Sequence, residues 1–297
     1  MMAAIVSMSA HGADQKPTRP LPSVEHVVLI SIDGLRPDLA LRANMPTLRS
    51  MLRDGAYTFW AKTTAVSITL PSHTSMVTGV RPDKHGITWN SDLPFSEPYY
   101  PKRPTVMEMA SAAGYVTAMV AGKSKFATLN KPGTITHVFV PGEANTSVDN
   151  GVVVTHAEEM IAAYKPDLLF IHFPDVDATG HDKGWGSVEQ IATIEKIDGA
   201  LARVFAALDR AHIRSSTLVI LSADHGGAGL THGADDTRSR HIPWIAVGPG
   251  VRRGYDLTQL ADLEIRTEDS AATICYLLGL PQQAYFDGKP VLAAFGP

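Results

Sequence analysis

Asp33, Thr69, Asp177, His181, Asp224, His225 and His232 are oxygen and imidazole donors, and several of them follow directly on apolar runs. Asp33 ends Val27-Val28-Leu29-Ile30-Ser31-Ile32, and Asp224-His225 ends Leu218-Val219-Ile220-Leu221-Ser222-Ala223. Such runs read as strands of a parallel sheet, whose carboxyl edge is where open α/β sheets bind ligands. Carboxylates, imidazoles and a hydroxyl gathered at that edge are the donors of a two-metal hydrolytic centre. Asp177 and His181 lie just past the run Leu168 to Phe173, close enough in a loop or first helical turn to converge on one ion. Gly226 and Gly227 permit a sharp turn behind Asp224-His225, and the loop through Gly229 can return His232 to the same edge. Taken singly, the Asp-His pair fits a strand-end turn and His232 a surface histidine; the set carries the reading.

Thr69 stands in Val66-Ser67-Ile68-Thr69-Leu70-Pro71-Ser72-His73, at the start of a helix running to Thr78-Gly79. A helix amino end offers N–H groups and positive potential to phosphate oxygens. Threonine is also a common N-cap, which local sequence alone favours, and Ser67, Ser72 and Thr74 compete for a chemical role. Lys123 and Lys125 follow the strand Val116 to Val120. On an extended segment alternate side chains share a face, so both ammonium groups could meet one anion, a substrate carboxylate or second phosphate; two solvated lysines is the plainer reading.

Strand-like runs occur at 26–32, 115–121, 136–140, 167–173, 216–223 and 243–248, and helix-like periodicity at 104–113, 152–164, 186–210 and 267–279. Their alternation is the α/β signature. In the longest helix Val188, Ile191, Ile194, Ile197, Leu201, Val204, Phe205 and Leu208 recur at three- and four-residue spacing, a stripe that covers a sheet face. The chain has 297 residues, 44% hydrophobic and 19% charged, which suits one α/β domain with insertions. A net charge of -4, with no Lys/Arg run longer than two, gives no bulk attraction for nucleic acid or an anionic membrane. The single cysteine, Cys275, lies in an apolar helix and reads as core; a disulfide within the chain is excluded. Residues 1–24 read as a leader or signal remnant, which points to a periplasmic or secreted protein with a cytoplasmic one as the alternative. Residues 25–297 then form a single catalytic domain with a loop or cap insertion at about 81–104, where Trp89, Phe95, Tyr99 and Tyr100 could stack on a base or pack on one another. No stretch approaches the ~20 apolar residues of a membrane span.

Ile30-Ser31-Ile32-Asp33-Gly34-Leu35-Arg36, Thr69-Leu70-Pro71-Ser72-His73 running into Val77-Thr78-Gly79, His85-Gly86-Ile87, Asp177 with Gly180-His181, Asp224-His225-Gly226, and His232-Gly233 followed by Gly248-Pro249 are the residues that carry a resemblance. In order and spacing they resemble the nucleotide pyrophosphatase/phosphodiesterase branch of the alkaline phosphatase superfamily. The resemblance implies an alkaline-phosphatase-like α/β fold: a mostly parallel central sheet, helices on both faces, and a metal site at the strand carboxyl ends. It implies two zinc ions, one held by Asp177, His181 and His232 and the other by Asp33, Asp224 and His225, with Thr69 reaching the second as nucleophile. His/Asp ligation suits zinc better than magnesium, with manganese or iron as alternatives. The implied cycle passes through phosphothreonine, which water then hydrolyses.

Asn90 resembles the family's amide donor to a non-bridging phosphate oxygen, against a plain turn-forming Asn. A lysine pair like Lys123 and Lys125 occurs in the phosphonoacetate hydrolase branch. Asp175, Asp235 and Asp236 are candidates to orient the histidines, while His73 and His85 read as structural. The chain departs from larger members in its short link from His225 to His232 and in Ser72, where the family often has Asn. The expected activity is cleavage of phosphodiester or pyrophosphate bonds in a small phosphate ester, with phosphomonoester or phosphonate hydrolysis as alternatives and a non-catalytic metal-binding domain as the rival of another class.

Overall fold

The computed structural model describes residues 16–92, 99–233 and 235–296. Its sheet contains β1 (His26–Ile32), β2 (Gly55–Lys62), β3 (Thr117–Ala121), β4 (His137–Phe139), β5 (Leu168–Phe173), β6 (Thr217–Ser222), β7 (His241–Val247) and β8 (Tyr255–Asp256). They lie in the order β4-β3-β5-β1-β6-β7-β2-β8, and β7 alone runs against its neighbours. The central strands β5 and β6 are buried along their whole length and β1 beyond His26, as apolar runs must be when both faces of a parallel sheet are covered. Helices Pro46–Asp54, Asn150–Tyr164 and Val188–Arg210 pack together on one face, and Thr69–Thr78, Val106–Ala112 and Asp269–Leu277 on the other.

The helix Val188–Arg210 buries Ile194, Ile197, Leu201, Val204 and Leu208, and its amino end is capped by Ser187, which accepts from Gln190 N–H at 3.2 Å. Val188, expected in the same stripe, is its first residue and is exposed. Asp198 on this helix is buried and accepts from the N–H groups of Thr47 (2.9 Å) and Leu48 (2.8 Å). It thereby satisfies the amino end of Pro46–Asp54, which has no side-chain cap of its own. Cys275 is core, as expected, and burial pushes its thiol up to about 12.

The pattern of apolar runs missed Pro46–Asp54 and β2. The chain passes from helix at Asp54 to strand at Gly55 with no turn residues between. Gly55 makes this possible, because a Cβ there would lie 2.1 Å from Ala246 O on β7. Residues 1–15 of the expected leader and residues 93–98 of the expected cap, including Phe95, lie outside the described residues. Residues 16–24 pack on the domain: Lys16 and Arg19 bond Asp167 at 2.7 and 3.2 Å, and Val24 is buried. Trp89 and Tyr99 meet each other edge to face at 5.1 Å. Among the described residues no helix is long and apolar enough to cross a membrane.

Candidate metal centre

The carboxyl ends of β1, β5 and β6 reach one edge, set level by the pairings Ile32 with Phe173 and Ser31 with Ser222. Immediately beyond, Asp33 N–H donates to Phe173 O at 3.0 Å. Gly34 then turns with φ 76°, and a Cβ on it would come within 2.9 Å of Asp177 Cα. Glycine is therefore what allows Asp33 and Asp177 to approach. The result is two triads, Asp177 with His181 and His232, and Asp33 with Asp224 and His225, each with its donor atoms within 4.8 Å of one another.

Each carboxylate has one oxygen bound by the protein and one left bare. Asp33 Oδ2 accepts from Lys123 Nζ (2.7 Å) and His172 Nε2 (3.0 Å), Asp177 Oδ2 from the same ammonium (2.6 Å), and Asp224 Oδ1 from Gly34 N–H (3.1 Å). Asp33 Oδ1, Asp177 Oδ1 and Asp224 Oδ2 are buried and find no hydrogen-bond partner among the described residues. Burial of an unsatisfied polar atom costs about 1–3 kcal/mol, more when charged, so three at one place mark a ligand position.

The imidazoles are oriented to match. Nδ1 of His181, His225 and His232 lies 2.9, 2.8 and 2.9 Å from the carbonyl oxygens of Leu230, Gly226 and Ser67. A carbonyl only accepts, so these partners assign the proton to Nδ1 and a lone pair to Nε2. Those lone pairs face the bare oxygens: His181 and His232 Nε2 stand 3.4 and 3.5 Å from Asp177 Oδ1. His225 Nε2 stands 3.1 Å from Asp224 Oδ2 and 3.4 Å from Asp33 Oδ1. Lone pair against lone pair is repulsive unless a cation lies between, and nitrogen with carboxylate oxygen is a donor set that zinc accepts. The residues fit two divalent ions.

The charge distribution agrees. Burial, with Asp33 and Asp177 nearby, drives Asp224 well above the usual carboxylate range. Burial opposes ionisation of Asp33 too, yet Lys123, His172 and His225 hold it well below that range. One ammonium cannot neutralise three carboxylates, and the surplus appears on Asp224. Burial and the adjacent His232, stacked at 3.7 Å, push His225 down to about 4, which keeps its imidazole neutral. His181, the most exposed of the six, is raised by its approach to Asp177, so there a proton competes with an ion.

Thr69 is the first residue of its helix, preceded by Ile68 at the cap position, so the N-cap reading gives way. Its hydroxyl is buried and stands 3.4 Å from His225 Nε2. Its carbonyl accepts from His73 Nδ1 (2.8 Å), and His73 Nε2 meets the Ser31 hydroxyl (2.8 Å), which ties the helix start to β1. Ser72 donates to Asp224 O at 2.7 Å and also bonds the Thr63 hydroxyl. Asn90 Oδ1 accepts from Leu70 N–H at 3.0 Å, which leaves its NH₂ as the donor beside the helix start.

The two lysines take different partners within one neighbourhood. Lys123 is itself extended and the chain enters a 3₁₀ turn, Ser124–Leu129, directly after it, yet the Lys123 charge and those of Asp33 and Asp177 still act on Lys125. Lys123 lies between Asp33 and Asp177, which hold its ammonium above its usual value although burial works against the charge. Lys125 Nζ donates to Asn90 O at 2.7 Å, and burial lowers it. Asp175, Asp235 and Asp236 bond elsewhere: to Asn150 N–H, to Arg240, and to Arg238. The histidines take their orientation from backbone carbonyls instead. His172, to which the sequence reading gave no role, accepts Gly122 N–H at Nδ1 (3.2 Å) and donates to Asp33. The available signal was an imidazole inside the otherwise apolar, fully buried β5.

The fold and paired triads define an alkaline-phosphatase-like protein with a candidate two-cation centre. The sequence profile of the type I phosphodiesterase/nucleotide pyrophosphatase family matches residues 27–238, and the chain belongs to that family. Among curated relatives it is similar to the human GPI ethanolamine phosphate transferase 2 catalytic subunit, 26% identical over 287 residues, covering 92% of this chain and 28% of the relative. It is also similar to mouse ectonucleotide pyrophosphatase/phosphodiesterase family member 7, 24% identical over 241 residues, covering 75% of this chain and 54% of the relative. The chain thus spans roughly a quarter to a half of the length of these relatives. Murine ectonucleotide pyrophosphatase/phosphodiesterase 5 superposes with a TM-score of 0.77 at 17% identity, covering 92% of this chain and 100% of that one. A 2-O GAG sulfatase gives 0.71 at 15%, covering 94% and 74%. At these identities the solved structures speak for the fold.

Proposed function

We propose that the protein is a two-metal hydrolase, with zinc as the ion its donors suit best, that cleaves phosphodiester or pyrophosphate bonds of small phosphate esters through Thr69. The observation that carries this reading is the convergence of three bare carboxylate oxygens and three imidazole Nε2 atoms beside the Thr69 hydroxyl. Two divalent ions on these triads would lower the hydroxyl's pKa and stabilise the attacking and leaving oxygens of an in-line displacement.

The chain's own residues do the positioning. The helix Thr69–Thr78, tied to β1 through His73, fixes Thr69 Oγ1 for attack on phosphorus as the bond to the leaving oxygen breaks. The resulting phosphothreonine is opened by water, which regenerates the hydroxyl. The Asn90 NH₂, aimed by its bond to Leu70 N–H, donates to a non-bridging phosphate oxygen. Lys123 holds the outer oxygens of Asp33 and Asp177 so that their inner oxygens face the ions. Two relatives lend support: one is named a bis(5'-adenosyl)-triphosphatase, and a threonine-to-alanine variant of murine family member 5, solved with AMP, is described as inactive.

The test is the ratio of kcat/KM for bis-p-nitrophenyl phosphate to that for p-nitrophenyl phosphate on zinc-loaded protein, with a chelated control. A ratio above one, abolished by chelation, supports the reading. A ratio well below one moves the function to a monoesterase, and no turnover of either ester rejects both.

A further inference from the structure

Trp185 takes no part in the chemistry proposed above, yet it meets both segments that supply the Asp177, His181 and His232 triad. It follows the helix Asp175–Lys183, which carries Asp177 and His181, and is 8% exposed. Its backbone N–H donates to Gly229 O at 2.8 Å and so ties that helix to the loop leading to His232. Its indole Nε1–H donates to Gly34 O at 3.0 Å, and Gly34 is the residue that packs directly on Asp177.

The ring occupies space that two glycines leave open. A Cβ on Gly180 would stand 2.7 Å from Trp185 Cε2, and one on Gly227 2.3 Å from the same atom, so either would collide with the ring. The indole is thereby held between the residue before His181 and the loop after His225. From there it lies nearly perpendicular to both imidazoles, with centroids at 5.2 Å and 84° to His181 and at 5.8 Å and 69° to His232. The bond from Nδ1 to a backbone carbonyl fixes one atom of each imidazole and leaves the ring free to swing about it. The His181 side chain is 44% exposed, so a rigid surface beside it matters most there.

We propose that Trp185 is a positioning residue for this triad: its ring presets His181 and His232 with Nε2 towards Asp177 Oδ1, so that an ion enters a site already formed. The proposal rests on the two-metal reading above, and its test reads ion affinity, not turnover.

Competition of the ion-free full chain against a fluorescent zinc chelator measures the two binding steps, and His181→Ala, which removes a donor, marks the step that belongs to this triad. Trp185→Leu keeps apolar volume without the planar surface and should weaken that step by about 10–100-fold, with the other step changed by about threefold at most. Trp185→Phe restores an aromatic ring and should bring that step back to within about fivefold of wild type. A tryptophan that only stabilises the fold would lower the urea midpoint and weaken both steps alike. If Trp185→Leu does not fold, Trp185→Met, whose longer flexible chain fills more of the space, takes its place with the same expectation. Affinity at that step within about threefold of wild type in the folded Leu or Met variant overturns the proposal, as do equal losses at both steps or a Trp185→Phe protein as weak as Trp185→Leu. Wild-type protein that binds no zinc at either step rejects the two-metal reading itself, whereas two bound ions with unchanged affinity in the variant reject this proposal alone.

Discussion

His172→Phe tests whether the centre depends on how Asp33 is held. The ring is fully buried and packs against Phe126 at 4.2 Å and His73 at 4.9 Å between centroids, contacts that phenylalanine preserves. What disappears is the 3.0 Å bond to Asp33 Oδ2 and the acceptor for Gly122 N–H, which still has His172 O at 3.3 Å. A hydrogen bond to a charged group is worth roughly 1.5–3 kcal/mol. Because Lys123 remains on the same oxygen at 2.7 Å, Asp33 is loosened rather than released. The expected loss is about 10–100-fold in zinc affinity, or roughly 1.4–2.7 kcal/mol. It should fall on the Asp33, Asp224, His225 triad, with the other triad changed by about threefold at most. Competition of ion-free protein against a fluorescent zinc chelator resolves the two steps, with the near-ultraviolet circular dichroism as a fold control. Equal losses at both triads, or no loss at either, would refute the reasoning.

Lys123→Met leaves Asp33 and Asp177 without their shared counterion, and breaking a buried pair in this way costs about 3–5 kcal/mol. Urea denaturation in chelator should show that loss, and zinc should shrink it because the ions supply the missing charge; equal stability of the two proteins in chelator would count against the ion pair. Asn90→Ala should lower kcat/KM for a phosphodiester by about 10²–10³-fold with zinc content unchanged, and an effect under about threefold would remove the amide from the site. His85 is buried, accepts Ile87 N–H at Nδ1 and bonds Ser75 through Nε2, and burial lowers it to about 4. Its depressed value means that stability is fully present above the unfolded value near 6.5 and falls as pH drops towards 4, by on the order of 3 kcal/mol. In chelator, His85→Gln should flatten that limb of the stability curve; an unchanged slope would place the acid sensitivity elsewhere.

The legible parts of the chain were those where one physical requirement writes a continuous pattern. β1, β5 and β6 are buried on both faces and so appear as apolar runs, and the donors just past their ends stand where a parallel sheet opens. β2 and the helix before it left no such trace, because the join at Asp54 and Gly55 lacks turn residues and the reason for glycine is a backbone on β7 far along the chain. His172 was hidden for a related reason: its partner Asp33 is 139 residues away. The orientation of the candidate metal-binding histidines by Leu230, Gly226 and Ser67 uses backbone carbonyls, which every residue has, so side-chain candidates such as Asp175 drew attention instead. The partners of the lysine pair were hidden, because β3 stops at Ala121 and each ammonium is held by groups far along the chain, Lys123 by Asp33 and Asp177 and Lys125 by Asn90.

The central claim is that Thr69 attacks phosphorus at a centre whose two triads would each hold a divalent ion. Zinc content by elemental analysis, together with turnover of bis-p-nitrophenyl phosphate, should be compared for wild type and Thr69→Ala. The account predicts two ions per chain in both proteins and a fall in turnover of about 10³-fold or more in the variant. Turnover in Thr69→Ala within about tenfold of wild type, at the same ion content, would contradict it.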